Sequence, residues 1–89
     1  MIFSCVIPVK DENDPKLADL IASIKAQDFP QDQIEILVMG PEYGDSEQAK
    51  AAGIRKAQGE ICAMFCADNY ISEPSLFKSI YDKFEYQMD

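Results

Sequence analysis

Ile2-Phe3-Ser4-Cys5-Val6-Ile7-Pro8-Val9 is the stretch that decides how this chain folds. It is an almost unbroken apolar run rich in branched side chains, and the charged segment Lys10-Asp11-Glu12-Asn13-Asp14 ends it. A strand with one wet face alternates polar and apolar residues. A run without that alternation belongs to a strand covered on both faces, as in parallel sheets. Parallel neighbours need long crossover connections, usually helices.

The remainder of the chain supplies those helices. Asp14-Pro15 offers an N-cap followed by proline at the first helical position. Leu17, Leu20, Ile21 and Ile24 follow at spacings of three and four, one apolar stripe of a helix ending near Gln27 and broken by Phe29-Pro30. Ile34 to Met39 is a second buried strand, ended by Gly40-Pro41. Gly44-Asp45-Ser46 caps a second helix that runs to about Ala57, and its Ala49, Ala52 and Gly53 permit close approach to a sheet. After Gly59, a natural helix stop, Ile61 to Phe65 reads as the third strand. Ser72-Glu73-Pro74 opens a third helix with a broad apolar face of Leu76, Phe77, Ile80, Tyr81 and Phe84.

The pattern βαβαβα predicts a single α/β domain over residues 1–89: three layers around a short parallel sheet of order 2-1-3, Rossmann-like in topology. In that order the chain reverses direction between strands one and three, and open α/β sheets bind ligands outside the carboxyl ends of their strands at such a point. The acidic segment from Lys10 to Asp14 and the pair Asp68-Asn69 are expected to meet there.

Composition narrows the function. Hydrophobic residues make up 47% and charged residues 27%, the balance of a globular chain rather than a disordered one. The formal charge is −8, from 16 acidic and 8 basic residues, which repels phosphate backbones and argues against nucleic acid as a partner. That surplus serves solubility, or in part holds a divalent cation. The absence of histidine removes an imidazole base. Cys5, Cys62 and Cys66 are odd in number and lie in apolar segments, so buried, reduced thiols are expected rather than a disulfide framework. No apolar run approaches the ~20 residues of a membrane span, and the N-terminus lacks the basic region of a signal peptide. A cytoplasmic setting follows as the expectation.

Five stretches in order add a family resemblance. The segment from Phe3 to Glu12 resembles the opening motif of family 2 glycosyltransferases of the GT-A type. Ile24-Lys25-Ala26-Gln27-Asp28-Phe29-Pro30 and Ile34-Glu35-Ile36-Leu37-Val38 are similar to the helix end and strand that follow it in that family. The segment from Ala52 to Glu60 looks like its "GIRxAxGE" helix, and Ala67-Asp68-Asn69 stands where the family carries its D-x-D element.

The resemblance implies a nucleotide-diphosphate sugar as ligand, transfer of its sugar to an acceptor, and Mg2+ or Mn2+ as cofactor. Asp68 would be the metal carboxylate and Asn69 a hydrogen-bonding partner of a phosphate or sugar oxygen. Pro8, Lys10, Asp11 and Glu12 would border the nucleobase, Gly40 would lie at the end of the second strand, and Lys50 near the diphosphate. Read without the family, Asp68 is a solvated loop acid or a cap of the following turn, and Lys10 and Lys50 are surface lysines.

The chain also departs from the pattern. Cys66 stands in place of the first D-x-D carboxylate, Lys10 in place of an aromatic residue, and Met39-Gly40 where the base-reading aspartate belongs, with Glu42 and Asp45 the nearest acids. A short strand between the second strand and the "GIRxAxGE" helix is missing, as is the acceptor-binding half with its catalytic base. Asp82, Glu85 and Asp89 read as a solvated face rather than as that base. The domain is thus expected to be a truncated, nucleotide-binding half. An alternative is a degenerate relative acting by self-association or partner binding. In either case the bare sheet edges and apolar last helix predict a homodimer or higher homo-oligomer.

Overall fold

The 2–9 run becomes the middle strand of a parallel sheet in the computed structural model, which describes residues 1–87 and side chains as far as Glu85. The elements are β1 (Phe3–Pro8), α1 (Pro15–Lys25), β2 (Ile34–Met39), α2 (Ser46–Lys56), β3 (Ile61–Met64) and α3 (Leu76–Gln87). Short 3-10 turns, Gln31–Gln33 and Pro41–Tyr43, stand at the two ends of β2. The strand order is β2-β1-β3 and all pairings are parallel, as the alternation of strand and helix requires. β1 pairs with β2 from Phe3 opposite Ile34 to Pro8 opposite Met39, and with β3 from Phe3 opposite Ile61 to Val6 opposite Met64.

The helix caps follow from local chemistry. Asp14 accepts from the Lys16 N–H at 3.0 Å, with Pro15 first in α1. Asp45 and Gln48 form a reciprocal capping box at the start of α2, two bonds of 2.9 Å.

Because side chains alternate along a strand, β1 divides the core in two. Phe3, Cys5 and Ile7 face α1 and α3, where they pack with Leu17, Leu20, Ile24 and Phe77. Val6 faces α2 and packs with Met39 and Ala49. Two helices therefore cover one side and one helix the other. On the larger side Phe3 stacks on Phe77 at 4.5 Å between ring centroids and meets Phe29 edge-on at 5.1 Å, arrangements that add about 0.5–1.5 kcal/mol each beyond simple burial. Leu76, Ile80 and Tyr81 join that cluster. Much of the apolar face of α3 is thus taken up by its own sheet rather than left over for another molecule. On the smaller side a β-carbon on Gly53 would run into a methyl group of Val6, so α2 rests closer to the sheet than a helix with a side chain there.

Three buried polar side chains join these layers. Ser23 donates to the Leu20 carbonyl at 2.7 Å and accepts from the Ile71 N–H at 3.2 Å. Gln27 donates to the Glu73 carbonyl at 2.9 Å and accepts from the Phe77 N–H at 3.0 Å, which ties the end of α1 to the start of α3. Ser4, fully buried on the α2 side of β1, donates to Glu35 at 2.5 Å and accepts from the Gly59 N–H at 2.7 Å. Glu35 also accepts from the Gln58 N–H at 2.6 Å. The Ser4 hydroxyl first, and then the Gln58 N–H, holds the Glu35 carboxyl below its usual 4.5.

Ser4→Ala leaves the Gly59 N–H without its acceptor and Glu35 Oε2 with the Gln58 N–H alone, at an expected cost of about 1–3 kcal/mol near neutral pH. A depressed carboxylate stabilises the fold above its unfolded pKa and loses that contribution as pH falls through the folded value. The gap between native and Ser4→Ala chains in urea unfolding should therefore shrink when the pH is taken well below 4.5. A gap that stays constant would show that Glu35 is not the partner that matters.

Candidate functional site

A crevice opens in a parallel sheet where the connections leaving neighbouring strands turn to opposite faces. After β1 the chain turns to the side of α1, and after β3 it turns to the same side, because α3 packs with α1 on Phe3. After β2 it turns to the other side, where α2 lies. The parting of the loops is therefore between β1 and β2, not between β1 and β3 as the strand order alone suggests. The return of α3 to the α1 face makes the difference.

A cavity of about 330 Å³ occupies that place, lined by Pro8, Val9 and Lys10 from the end of β1, Pro41 and Gly44 from the loop after β2, and Asp45, Ser46 and Ala49 from the start of α2. Its walls combine apolar carbon, one lysine and the amino end of a helix, whose dipole favours anions but whose Gln48 N–H is already taken by the Asp45 carboxylate.

The sequence-predicted residues distribute around the sheet's carboxyl edge as follows. Pro8 and Lys10 line the cavity. Asp11 is exposed and accepts from the Asn13 N–H at 2.9 Å, shaping the loop into α1. Gly40 is buried next to Pro41, and a β-carbon there would meet the carboxylates of Glu12 and Glu42, so the glycine lets both acids lean over the end of β2. Lys50 forms an ion pair with Glu47 at 3.3 Å, one turn apart on α2. Asp68 is exposed at the crest of the turn from Cys66 to Asn69. That turn is closed twice by Asn69: its N–H donates to the Cys66 carbonyl at 2.9 Å, and its Oδ1 accepts from the Cys66 N–H at 2.7 Å. Asn69 therefore has a structural task that its place in a D-x-D-like element does not suggest, and its amide nitrogen is what it offers to a ligand.

Asn69 also lines a second, open groove of about 420 Å³ with Met64, Phe65, Tyr70, Ile71 and Leu76. Asp68 lines neither space. Its turn begins directly beyond β3, since the Phe65 N–H still donates to Val6 at 3.0 Å, so the carboxylate stands at the β3 end of the edge that carries the cavity at its β2 end. Among the described residues, no three His, Cys, Asp or Glu side chains are grouped to hold a metal ion. Asp82 and Glu85 are exposed on α3, and Asp89 lies outside the described residues.

Val9, Pro41, Gly44, Ser46 and Ala49 are cavity residues outside the expected set, although the cap at Asp45 marks where α2 begins and hence that Ser46 and Ala49 stand at its mouth. The cysteines need correction. Cys5 is buried, whereas Cys62 and Cys66 are exposed. Cys62 lies in register with Ser4, on the α2 side of the sheet, and α2 rests over β1 and β2 instead. Burial, and secondarily the charge of Glu35, pushes the Cys5 thiol up to about 12.

No protein-family model matches this sequence, and no curated protein matches it. No helix of the described residues is long and apolar enough to cross a membrane.

In the folded chain an aromatic disulfide reagent should titrate two of the three thiols, Cys62 and Cys66, with Cys5 reacting only after unfolding. Release of a single equivalent, or of all three at one rate, would contradict this burial pattern.

Proposed function

We propose that this chain binds a nucleoside-diphosphate sugar across the carboxyl edge of its sheet, as the donor-binding part of a family 2-type glycosyltransferase. The observation that carries this reading is the cavity lined by Pro8 and Lys10, the residues of the opening motif, against the amino end of α2. Its volume, about 330 Å³, falls at the small end of the roughly 300–1,000 Å³ typical of small-molecule sites. The nucleoside occupies that cavity, and the diphosphate passes over the end of β1 towards Asp68. Neighbouring strands are about 4.8 Å apart, so the tips of β2 and β3 stand about 10 Å apart across β1. An extended nucleoside diphosphate spans that distance.

Lys10 is the nearest cation at the cavity, and it counts for more in a chain of net charge −8, whose field otherwise opposes an anionic ligand. Mg2+ or Mn2+ is the cation of the proposal, with Asp68 as its protein carboxylate. The donor set suits that choice: one exposed acid outside any group of three ligands matches a hard cation that keeps its waters and takes its remaining oxygens from phosphates. Bound there, the ion would neutralise charge on the diphosphate. The three unpaired thiols support a reducing, cytoplasmic setting as part of the same proposal.

Calorimetric titration with nucleoside diphosphates and their sugar esters, with and without Mn2+, tests the reading. Binding should require the cation and weaken about tenfold or more in Asp68→Ala and in Lys10→Ala, each losing one charge-assisted contact. A folded protein that shows no heat at millimolar ligand would dispose of the proposal. Binding indifferent to Asp68→Ala would dispose of the assigned metal carboxylate.

A further inference from the structure

The chain around Asp68 is held at few points. Pairing with β1 ends where the Phe65 N–H donates to the Val6 carbonyl at 3.0 Å. Another element next grips the chain where the Ile71 N–H donates to Ser23 Oγ at 3.2 Å. From Cys66 to Tyr70, the hydrogen bonds among the described residues all join Asn69 to Cys66.

The first of them, from the Asn69 N–H to the Cys66 carbonyl at 2.9 Å, closes a four-residue turn with Ala67 and Asp68 at its centre. Among the described residues no side chain sits on a positive φ and no peptide bond is cis, so type I is the hydrogen-bonded turn that remains. Such a turn favours Asp, Asn or Ser first, Pro second and Gly last, whereas this one has Cys66, Ala67 and Asn69 there. Local propensity therefore does little to hold it. The Asn69 side chain supplies the second closure, its Oδ1 accepting from the Cys66 N–H at 2.7 Å. A backbone N–H can only donate, so the side-chain atom facing it is the oxygen, and Nδ2 is left without a partner among the described residues.

Asp68 stands exposed at the crest, and its carboxylate makes no hydrogen bond or ion pair of its own among the described residues. The turn alone decides where that carboxylate is presented. We infer, on the basis of the donor-binding role proposed for this edge, that Asn69 is the positioning residue of Asp68 towards Mg2+ or Mn2+, acting through the turn and not by touching the ligand. A cation served by one protein carboxylate has no second one to make good a misplaced ligand. Removing the groups that orient a metal ligand costs about 10–100-fold in metal affinity. Chemistry separates this role from a direct one. Asp at position 69 keeps the acceptor for Cys66 and loses the amide donor, so positioning survives Asn69→Asp and hydrogen bonding to a phosphate or sugar oxygen does not.

Two measurements on the full chain test this: exchange of the Cys66 amide without metal, and calorimetric titration of adenosine, cytidine, guanosine and uridine diphosphates with and without Mn2+. Asn69→Ala should speed the Cys66 amide about tenfold or more and cut the Mn2+-dependent gain in affinity about tenfold or more. Asn69→Asp should restore both, and should restore no gain when combined with Asp68→Ala. An unreactive Cys5 thiol in each variant verifies an intact core. A native chain whose binding ignores Mn2+ would sink the metal-dependent donor role, and the assignment of Asn69 with it. A faster Cys66 amide beside an undiminished gain would overturn the positioning role alone. So would an unchanged amide in Asn69→Ala, or a loss in Asn69→Asp as large as in Asn69→Ala. A gain that persists in the double variant would make the new carboxylate a ligand itself and equally overturn it.

Discussion

β1 has to be buried on both faces while pairing along both edges, and the other elements answer to that requirement. Phe3, Cys5 and Ile7 demand cover on one side and Val6 on the other. Parallel pairing on both sides forces the two connections to cross over opposite faces, and the covering helices are those connections. Where the available helix is small, contact is made close. Gly53 lets α2 settle on Val6, and the Ser4 hydroxyl stands in for apolar contact by gathering Glu35 and the chain just after α2. A methyl group in place of that hydroxyl would fill the space and leave the Gly59 N–H without its acceptor.

The same economy of cover places the functional surfaces. One helix cannot shield three strands, so α2 protects β1 and β2 and leaves the second face of β3 open. Two helices on the opposite side do shield the sheet, and the return of α3 to that side sends the loops after β1 and β3 the same way. The crevice is therefore displaced to the β1–β2 boundary, where the amino end of α2 forms its wall. The Asp68 turn stands across the end of the central strand from that crevice, and the exposed strip of β3 lies at the same far edge of the sheet. The crevice and the uncovered strip thus occupy different margins of one short sheet.

Buried polar contacts from α1 give the β3 side its rigidity. Ser23 and Gln27 grip the chain at Ile71, Glu73 and Phe77, and the Asp28 N–H adds a bond to Pro74 at 2.7 Å. That clasp fixes the segment following the Asp68 turn, so the carboxylate is presented from a loop anchored at both ends, by β3 before it and α1 after it. Gln27 has this role although its sequence context shows only the end of a helix.

Much of the architecture was legible in the chain because periodicity is a local property. The 2–9 run announces a strand covered twice, the stripe of Leu17, Leu20, Ile21 and Ile24 announces a helix, and Asp14-Pro15 and Asp45 mark where helices begin. From the alternation, parallel pairing and the order β2-β1-β3 follow by the handedness of crossovers. What only the tertiary structure decided was which face each helix finally covered, and how far that cover extended. The side taken by α3 depends on Phe77 stacking with Phe3, a contact between residues far apart in the chain, and it moved the crevice to the other side of β1. The exposure of Cys62 depends on the reach of α2, and that of Cys66 and the task of Asn69 on the turn that Asn69 closes beyond β3. Pattern along a chain records which residues need burial, but not which neighbour supplies it, because cover is a property of packed surfaces and not of sequence intervals.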